Sequence, residues 1–214
     1  MHDAAALAAR ARRLTPPSRR GRRLPALWLV TDPVRLPDPV APAARLPRGA
    51  GVLAREASTG VRARLAALSR RRGLALLVAG DGRAALAARA GLHVPDRRST
   101  AGLLPFLLAR RAGAPGTALT IAAHGGAASA ARARRLRPDL AFLSPLFTTR
   151  SHPGAPALGP LRWLLAARRL RLPAVALGGV AVATVARVPG RAAGIAAIDG
   201  LAPQAVAPPP HCLR

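Results

Sequence analysis

The feature that most constrains this chain is an alternation, from residue 25 onward, between short apolar runs and Arg/Ala/Leu segments of helical character. Residues 27–30 (Leu-Trp-Leu-Val), 51–53, 74–78 and 91–94 are such runs, and 118–122, 140–143, 174–177 and 194–198 complete a set of eight. These runs show no polar alternation, as expected of parallel strands covered on both faces. Between them, Val61, Leu65 and Leu68 fall on one face of 61–72 while most arginines point elsewhere, and Ser58 or Thr59 supplies an N-cap. Leu161, Leu164 and Leu165 make a similar stripe in 160–170, opened by Pro160. The segments 82–90, 125–136 and 180–187 are short and alanine-rich, which predicts helices packed tightly against a wall. Only 33–49 is awkward: its five prolines leave room for one turn near 40–46, so one helix is expected to be degenerate.

Such βαβα alternation allows a closed barrel or an open doubly wound sheet, and periodicity does not choose. A dinucleotide-binding sheet would carry a glycine fingerprint after its first strand, and Thr31-Asp32-Pro33 is not one. Gly178-Gly179 after the seventh run suits the phosphate loop of a barrel. The expectation is a single α/β domain, a (β/α)₈ TIM barrel over 25–203, with a basic extension at 1–24 and a tail at 204–214. With 214 residues the barrel must use short helices and clipped loops.

The net charge is +26 and every cationic residue is arginine. A GC-rich genome enriches arginine, alanine, glycine and proline together; binding to an anion is the functional alternative. The arginines sit on almost every predicted helix rather than in one patch, and no aromatic residues interleave them, so nucleic acid is not the favoured partner. The single cysteine, Cys212, leaves no intrachain disulfide to form, which fits a reducing, cytoplasmic setting. The longest charge-free stretches, 112–131 and 172–186, are broken by Gly, Pro or His, and none reads as a membrane span. Residues 1–23 hold a short Ala-Leu run followed by seven arginines in 14 residues, without a secretory apolar core. They read as a short amphipathic helix and a basic lead-in, outside the barrel.

The most specific segment is 139–159. An apolar strand there releases a loop bearing Thr148, Thr149, Arg150, Ser151 and His152, which at the carboxyl end of a barrel strand makes an anion-binding loop. Taken alone it reads equally well as a solvated turn. With Ser144-Pro145-Leu146-Phe147, Thr149, Ser151 and Pro153-Gly154-Ala155 it resembles the thiamine phosphate synthase family, which includes the thiazole tautomerase (TenI) branch. That family carries Gly-Pro-[Ile/Val]-Phe-x-Thr-x-[Thr/Ser]-Lys-x-Gly-Ala, and His152 stands at its lysine. Residues 27–32, Leu-Trp-Leu-Val-Thr-Asp, are similar to the family's opening strand, and 174–180 to its Val-Val-Ala-Ile-Gly-Gly-Ile; Ala123-His124-Gly125 falls at its Ser-x-His-Ser. The resemblance covers about 25–200 with the motifs in order.

The resemblance implies roles. Gly178 and Gly179 would let backbone N–H groups approach a thiazole phosphate, with the next helix N-terminus adding its partial charge. Thr149 and Ser151 would hold the diphosphate of a pyrimidine substrate; Arg150 and His152 would contact an anion; Arg55 matches the arginine of the family's Gln-x-Arg-x-Lys strand. His124 would be the general acid–base of a tautomerase, since an imidazole gives and takes protons near neutral pH. Departures accompany these matches. Leu53 and Ala57 replace glutamine and lysine, Asp81 is shifted from the family's metal-binding aspartate, Arg98 stands at a second acidic position, and Asp199 replaces a phosphate-binding serine. Mg²⁺, the family's metal, needs oxygen ligands, and only Asp81 and Asp96 lie nearby, so no cofactor is firmly expected. The reading that follows is a thiamine phosphate synthase-like protein of thiamine biosynthesis that binds a thiazole phosphate, with weakened Mg²⁺-dependent synthase competence. The alternatives are a metal-independent thiazole tautomerase using His124, and a non-catalytic phosphate or nucleic-acid binder on a decayed barrel.

Overall fold

The computed structural model describes residues 2–19, 21–96, 98–150, 154 and 156–202. Eight parallel strands close into a barrel: β3 (Leu27–Val30), β4 (Gly51–Ala54), β5 (Ala75–Ala79), β6 (Gly91–Val94), β7 (Leu119–Ala123), β8 (Leu140–Leu143), β9 (Ala174–Ala176) and β10 (Gly194–Ala197). Each falls within a residue or so of an apolar run, and β10 pairs back onto β3, so the sheet has no free edge. Closure is what the alternation left open. It makes the chain a (β/α)₈ barrel.

Helices cover the outside: α2 (Val40–Ala44), α3 (Thr59–Arg72), α4 (Gly82–Ala87), α5 (Leu103–Arg111), α6 (Ala127–Leu136), α7 (Gly159–Leu170) and α8 (Val182–Val185). Ser58 caps α3, its side chain accepting from the Val61 N–H at 3.3 Å, and Gly73 ends the helix at φ +65°. The proline-rich connection yields the single short helix α2. Helix α5 was not marked by the sequence: Leu103-Leu104-Pro105-Phe106 lacks a helical polar face, and Pro105 is tolerated because it falls in the first turn.

The barrel interior follows from the two-residue period of its strands. Trp28 and Phe142 meet edge to face at 5.4 Å, and the Trp28 indole N–H donates to the Pro25 carbonyl at 2.7 Å. A side chain at Gly51 would collide with the Trp28 ring, at 2.2 Å from its nearest atom, so glycine makes room for one of the two buried tryptophans.

The N-terminal segment is less detached than its charge suggests. Helix α1 (His2–Arg12) packs outside β10 and β3 and beside α8, burying Leu7 and Ala11, with Leu14 buried just past its end. It is followed by a small antiparallel pair, β1 (Ser18–Arg19) with β2 (Arg22–Arg23). Arg19 reaches Asp139 at 3.1 Å and Thr117 at 3.5 Å, tying this hairpin to the strands' N-terminal end. Thus part of 1–23, expected outside the barrel, shares its core, because α1 covers a strand that the described chain gives no following helix beyond a 3₁₀ turn at Asp199–Leu201. Among the described residues no helix is long and apolar enough to cross a membrane.

Candidate active site

A cavity of about 860 Å³ opens at the C-terminal ends of the strands, where (β/α)₈ barrels carry their functional loops. Its wall draws on Arg55, Asp96, His124, Ser144, Gly178–Gly179 and Asp199, each supplied by a different strand end.

The wall's first side is built by the opening strand motif. The Thr31 hydroxyl donates to the Arg55 carbonyl at 2.7 Å and accepts from the Arg55 N–H at 2.8 Å, locking the β3 and β4 exits together. Asp32 accepts the N–H groups of Val34 and Arg35, both at 3.1 Å, and pairs with the Arg55 guanidinium at 2.5 Å. Burial alone would raise the Asp32 carboxyl. The Arg35 N–H, the Arg55 charge, the Val34 N–H and the Arg35 charge together outweigh it, so its pKa lies below the ordinary aspartate value. Arg55 is thereby aimed at the cavity by residues whose identity the motif already displayed.

His93 is not among the candidate site residues read from the sequence, although it lines the cavity. The register sets it opposite Thr120, and its Nδ1 lies 2.9 Å from the Thr120 hydroxyl, with its ring edge-on to Phe142 at 5.3 Å. Burial, helped by the positive charges of Arg132 and Arg55, pushes its pKa down to about 3, so it is neutral under ordinary conditions. A half-apolar run, Gly91-Leu92-His93-Val94, hides this role; only the inward phase of the strand reveals it.

His124 lies where β7 ends. The β7–β8 register pairs Ala123 with Leu143 and so brings His124 beside Ser144. Its Nδ1 is 3.0 Å from the Ser144 carbonyl and 3.4 Å from the Ser144 hydroxyl. A carbonyl can only accept, so the shorter contact puts the proton on Nδ1 and leaves Nε2 as the basic nitrogen. Nε2 faces an Asp96 carboxylate oxygen at 3.6 Å. The other Asp96 oxygen is held by Arg132 at 3.1 Å, and the Arg132 guanidinium also bonds the carbonyls of Pro95, Asp96 and Ala122. Burial lowers the Arg132 pKa, opposed by the Asp96 charge. Arg132 on α6 therefore fixes Asp96 and, through it, the surroundings of the imidazole.

Gly178 and Gly179 follow β9 with φ of +92° and +65°. A Cβ at Gly178 would lie 2.8 Å from Pro145, and one at Gly179 only 2.3 Å from the Thr148 carbonyl. Glycine is thus obligatory on two counts, because the loop after β8 lies directly on this turn, with Leu146 N–H bonding Leu177 O and Phe147 N–H bonding Gly178 O. The N–H groups of Gly178, Gly179 and Val180 have no acceptor among the described residues, and all three residues line the cavity. The helix after them has four residues, and the Thr184 hydroxyl takes up the Ala181 N–H, so the expected helix-terminus contribution is slight. Asp199 stands beside this turn because β10 adjoins β9, and Arg35 and Arg150 hold its carboxylate at 3.0 and 3.1 Å. Thr149 and Arg150 line the same cavity, Arg150 largely exposed. Ser151 and His152 lie outside the described residues.

A Mg²⁺ site does not fit the residues present. The Asp81 carboxylate caps α4, accepting the Ala84 N–H at 2.9 Å, and is not part of the cavity wall; Asp96 is engaged by Arg132 and His124. Among the described residues no group of three His, Cys, Asp or Glu side chains is placed to hold a metal.

A closed parallel barrel with its cavity at the C-terminal mouth and a Gly-Gly turn after the seventh barrel strand defines a (β/α)₈ protein whose candidate site lies at the strands' carboxyl ends. A model of the thiamine monophosphate synthase family matches residues 54–201, more than half of the chain, and the chain belongs to that family. Among solved structures it is similar to thiamine phosphate pyrophosphorylase from Pyrococcus furiosus, with a TM-score of 0.63 and 21% identity over 81% of this chain and 85% of that one. That likeness speaks for the fold. No curated protein matches the chain.

Proposed function

We propose that this chain binds a thiazole phosphate at the mouth of its barrel, as a thiamine phosphate synthase-like protein of thiamine biosynthesis. The observation that carries this reading is the run of three backbone N–H groups, at Gly178, Gly179 and Val180, that have no acceptor among the described residues and belong to a cavity-lining turn that glycine alone fits. Such N–H groups cradle phosphate oxygens without needing a side chain. Arg35 and Arg150 stand close by, and their bonds to Asp199 are of a kind that a dianionic phosphate can compete for.

The same geometry gives less support to Mg²⁺-assisted departure of a pyrimidine diphosphate, because both candidate carboxylates are engaged elsewhere. A second reading, isomerisation of the thiazole, is favoured by His124. With Nδ1 bonded to a carbonyl, Nε2 takes a proton from a carbon of the bound thiazole, the double bond shifts, and the same nitrogen returns the proton at another carbon. Asp96 stabilises the imidazolium formed in between. A non-catalytic phosphate binder on the same barrel is the remaining alternative.

Calorimetric titration with thiazole phosphate and with the unphosphorylated thiazole alcohol tests the reading. Saturable binding that requires the phosphate is expected; equal binding of both compounds, or of neither, refutes it.

A further inference from the structure

Every cation here is an arginine and almost every predicted helix carries some, which along the sequence resembles an even coat of charge. The fold sorts them. In a parallel barrel all strands run one way and all wall helices return, so helix C-termini gather at the strands' N-terminal end. Helix α3 ends on Arg70, Arg71 and Arg72, α6 on Arg134 and Arg135, and α7 on Arg168 and Arg169, all exposed. The carboxylates are sorted the opposite way. Of eight in the chain, Asp32, Asp38, Glu56, Asp81, Asp96 and Asp199 follow strand C-termini, whereas among described side chains only Asp139 lies at the arginine end, bonded to Arg19 and Arg110.

Helix dipoles favour cations at C-termini, and three further arginines stand at or just past such ends where the backbone conformation favours glycine. Arg89, Arg137 and Arg171 follow α4, α6 and α7 with φ of +52°, +46° and +53°. Glycine takes that left-handed conformation without strain, and its codons are equally GC-rich. Charge is kept there at a conformational cost.

We propose that the N-terminal face of the barrel, opposite the candidate active site, is a binding surface for the phosphate backbone of a nucleic-acid duplex. Neighbouring helix ends are about 10 Å apart, close to a Debye length in physiological salt, so their charges act jointly on a polyanion. All five aromatic rings, Trp28, Phe106, Phe142, Phe147 and Trp163, are buried, so none is presented for stacking on single-stranded bases. The exposed large apolar side chains, Val34, Leu104, Leu108, Leu161, Leu165 and Val182, lie on strand-to-helix loops or in the first two turns of helices, away from this face. Among the described residues this face presents no large apolar side chain as a wedge for a membrane. Contact through guanidinium and phosphate alone is blind to base sequence.

The test is fluorescence anisotropy of the full chain with short mixed-sequence DNA and RNA duplexes, alongside phosphatidylserine vesicles. Affinity is expected to fall about 10²–10³-fold between roughly 50 and 200 mM salt, as for about four to six phosphate contacts. Joint replacement Arg134→Gln, Arg135→Gln, Arg168→Gln and Arg169→Gln should lower affinity and flatten that slope, while Arg64→Gln, on the first half of α3, should change neither. Thiazole phosphate titration on the quadruple variant should be unaltered, which keeps this surface separable from the mouth. Absence of duplex binding at low salt, an equal loss in Arg64→Gln, or preference for vesicles over either duplex overturns the proposal. Stronger binding to one duplex type names the source of the backbone.

Discussion

Buried His93 gives the structure a measurable pH signature. Its pKa is pushed from an ordinary 6.5 to about 3, and the unfolded chain has no such burial. Between those values the unfolded state takes up a proton that the native state refuses, so stability is complete above pH 6.5 and falls as pH drops toward 3. For a single site with those two pKa values, the loss between pH 7.5 and pH 5 is about 2 kcal/mol. That is a large share of a typical margin of about 5–15 kcal/mol. The perturbation is His93→Asn, which keeps a polar group near the Thr120 hydroxyl while removing the titration. The variant should be less stable than the parent at pH 7.5, by roughly 1–3 kcal/mol for the void. Its further loss on going to pH 5 should be smaller than the parent's by about 2 kcal/mol. Urea unfolding at both pH values measures each quantity, and working no lower than pH 5 keeps carboxyl titration out of the window. Identical pH dependence in the two proteins would refute the burial argument.

Three other outcomes are expected. Gly179→Val should abolish thiazole phosphate binding by titration calorimetry, because the new Cβ strikes the Thr148 carbonyl and displaces the N–H groups; undiminished affinity would place the anion elsewhere. His124→Asn should lower isomerase turnover by about 10²–10⁴-fold and leave phosphate affinity nearly intact, whereas His152→Asn should weaken binding; the reverse pattern exchanges their roles. Leu7→Ala should cost about 2–5 kcal/mol in chemical denaturation, since Leu7 is fully buried between α1 and the barrel; a change within about 0.5 kcal/mol would mean that α1 contributes no packing.

What the sequence determined by itself is the part carried by local pattern. Short apolar runs without alternation, bounded by turn residues, read as strands covered on both faces, and all eight are found where the runs lie. Thr31-Asp32, Arg55, His124 and Gly178-Gly179 announced the mouth because each sits one or two residues past such a run, where strand direction delivers it to one end. Helix α5 escaped because a first-turn proline and an apolar stretch mask the helical period. Only the tertiary structure decided which partners these residues have. Asp199, which alone would repel a phosphate, is matched by Arg35 and Arg150, 164 and 49 residues away in sequence. Arg132, on α6, commands Asp96 in the loop after β6, 36 residues away in sequence, and His93 is buried because β6 pairs with β7 in one register and not its neighbour. Closure itself, the docking of α1, and the gathering of scattered arginines on one end belong to the same class. Each depends on contacts far apart in the chain, which periodicity does not encode and which the barrel's common strand direction imposes all at once.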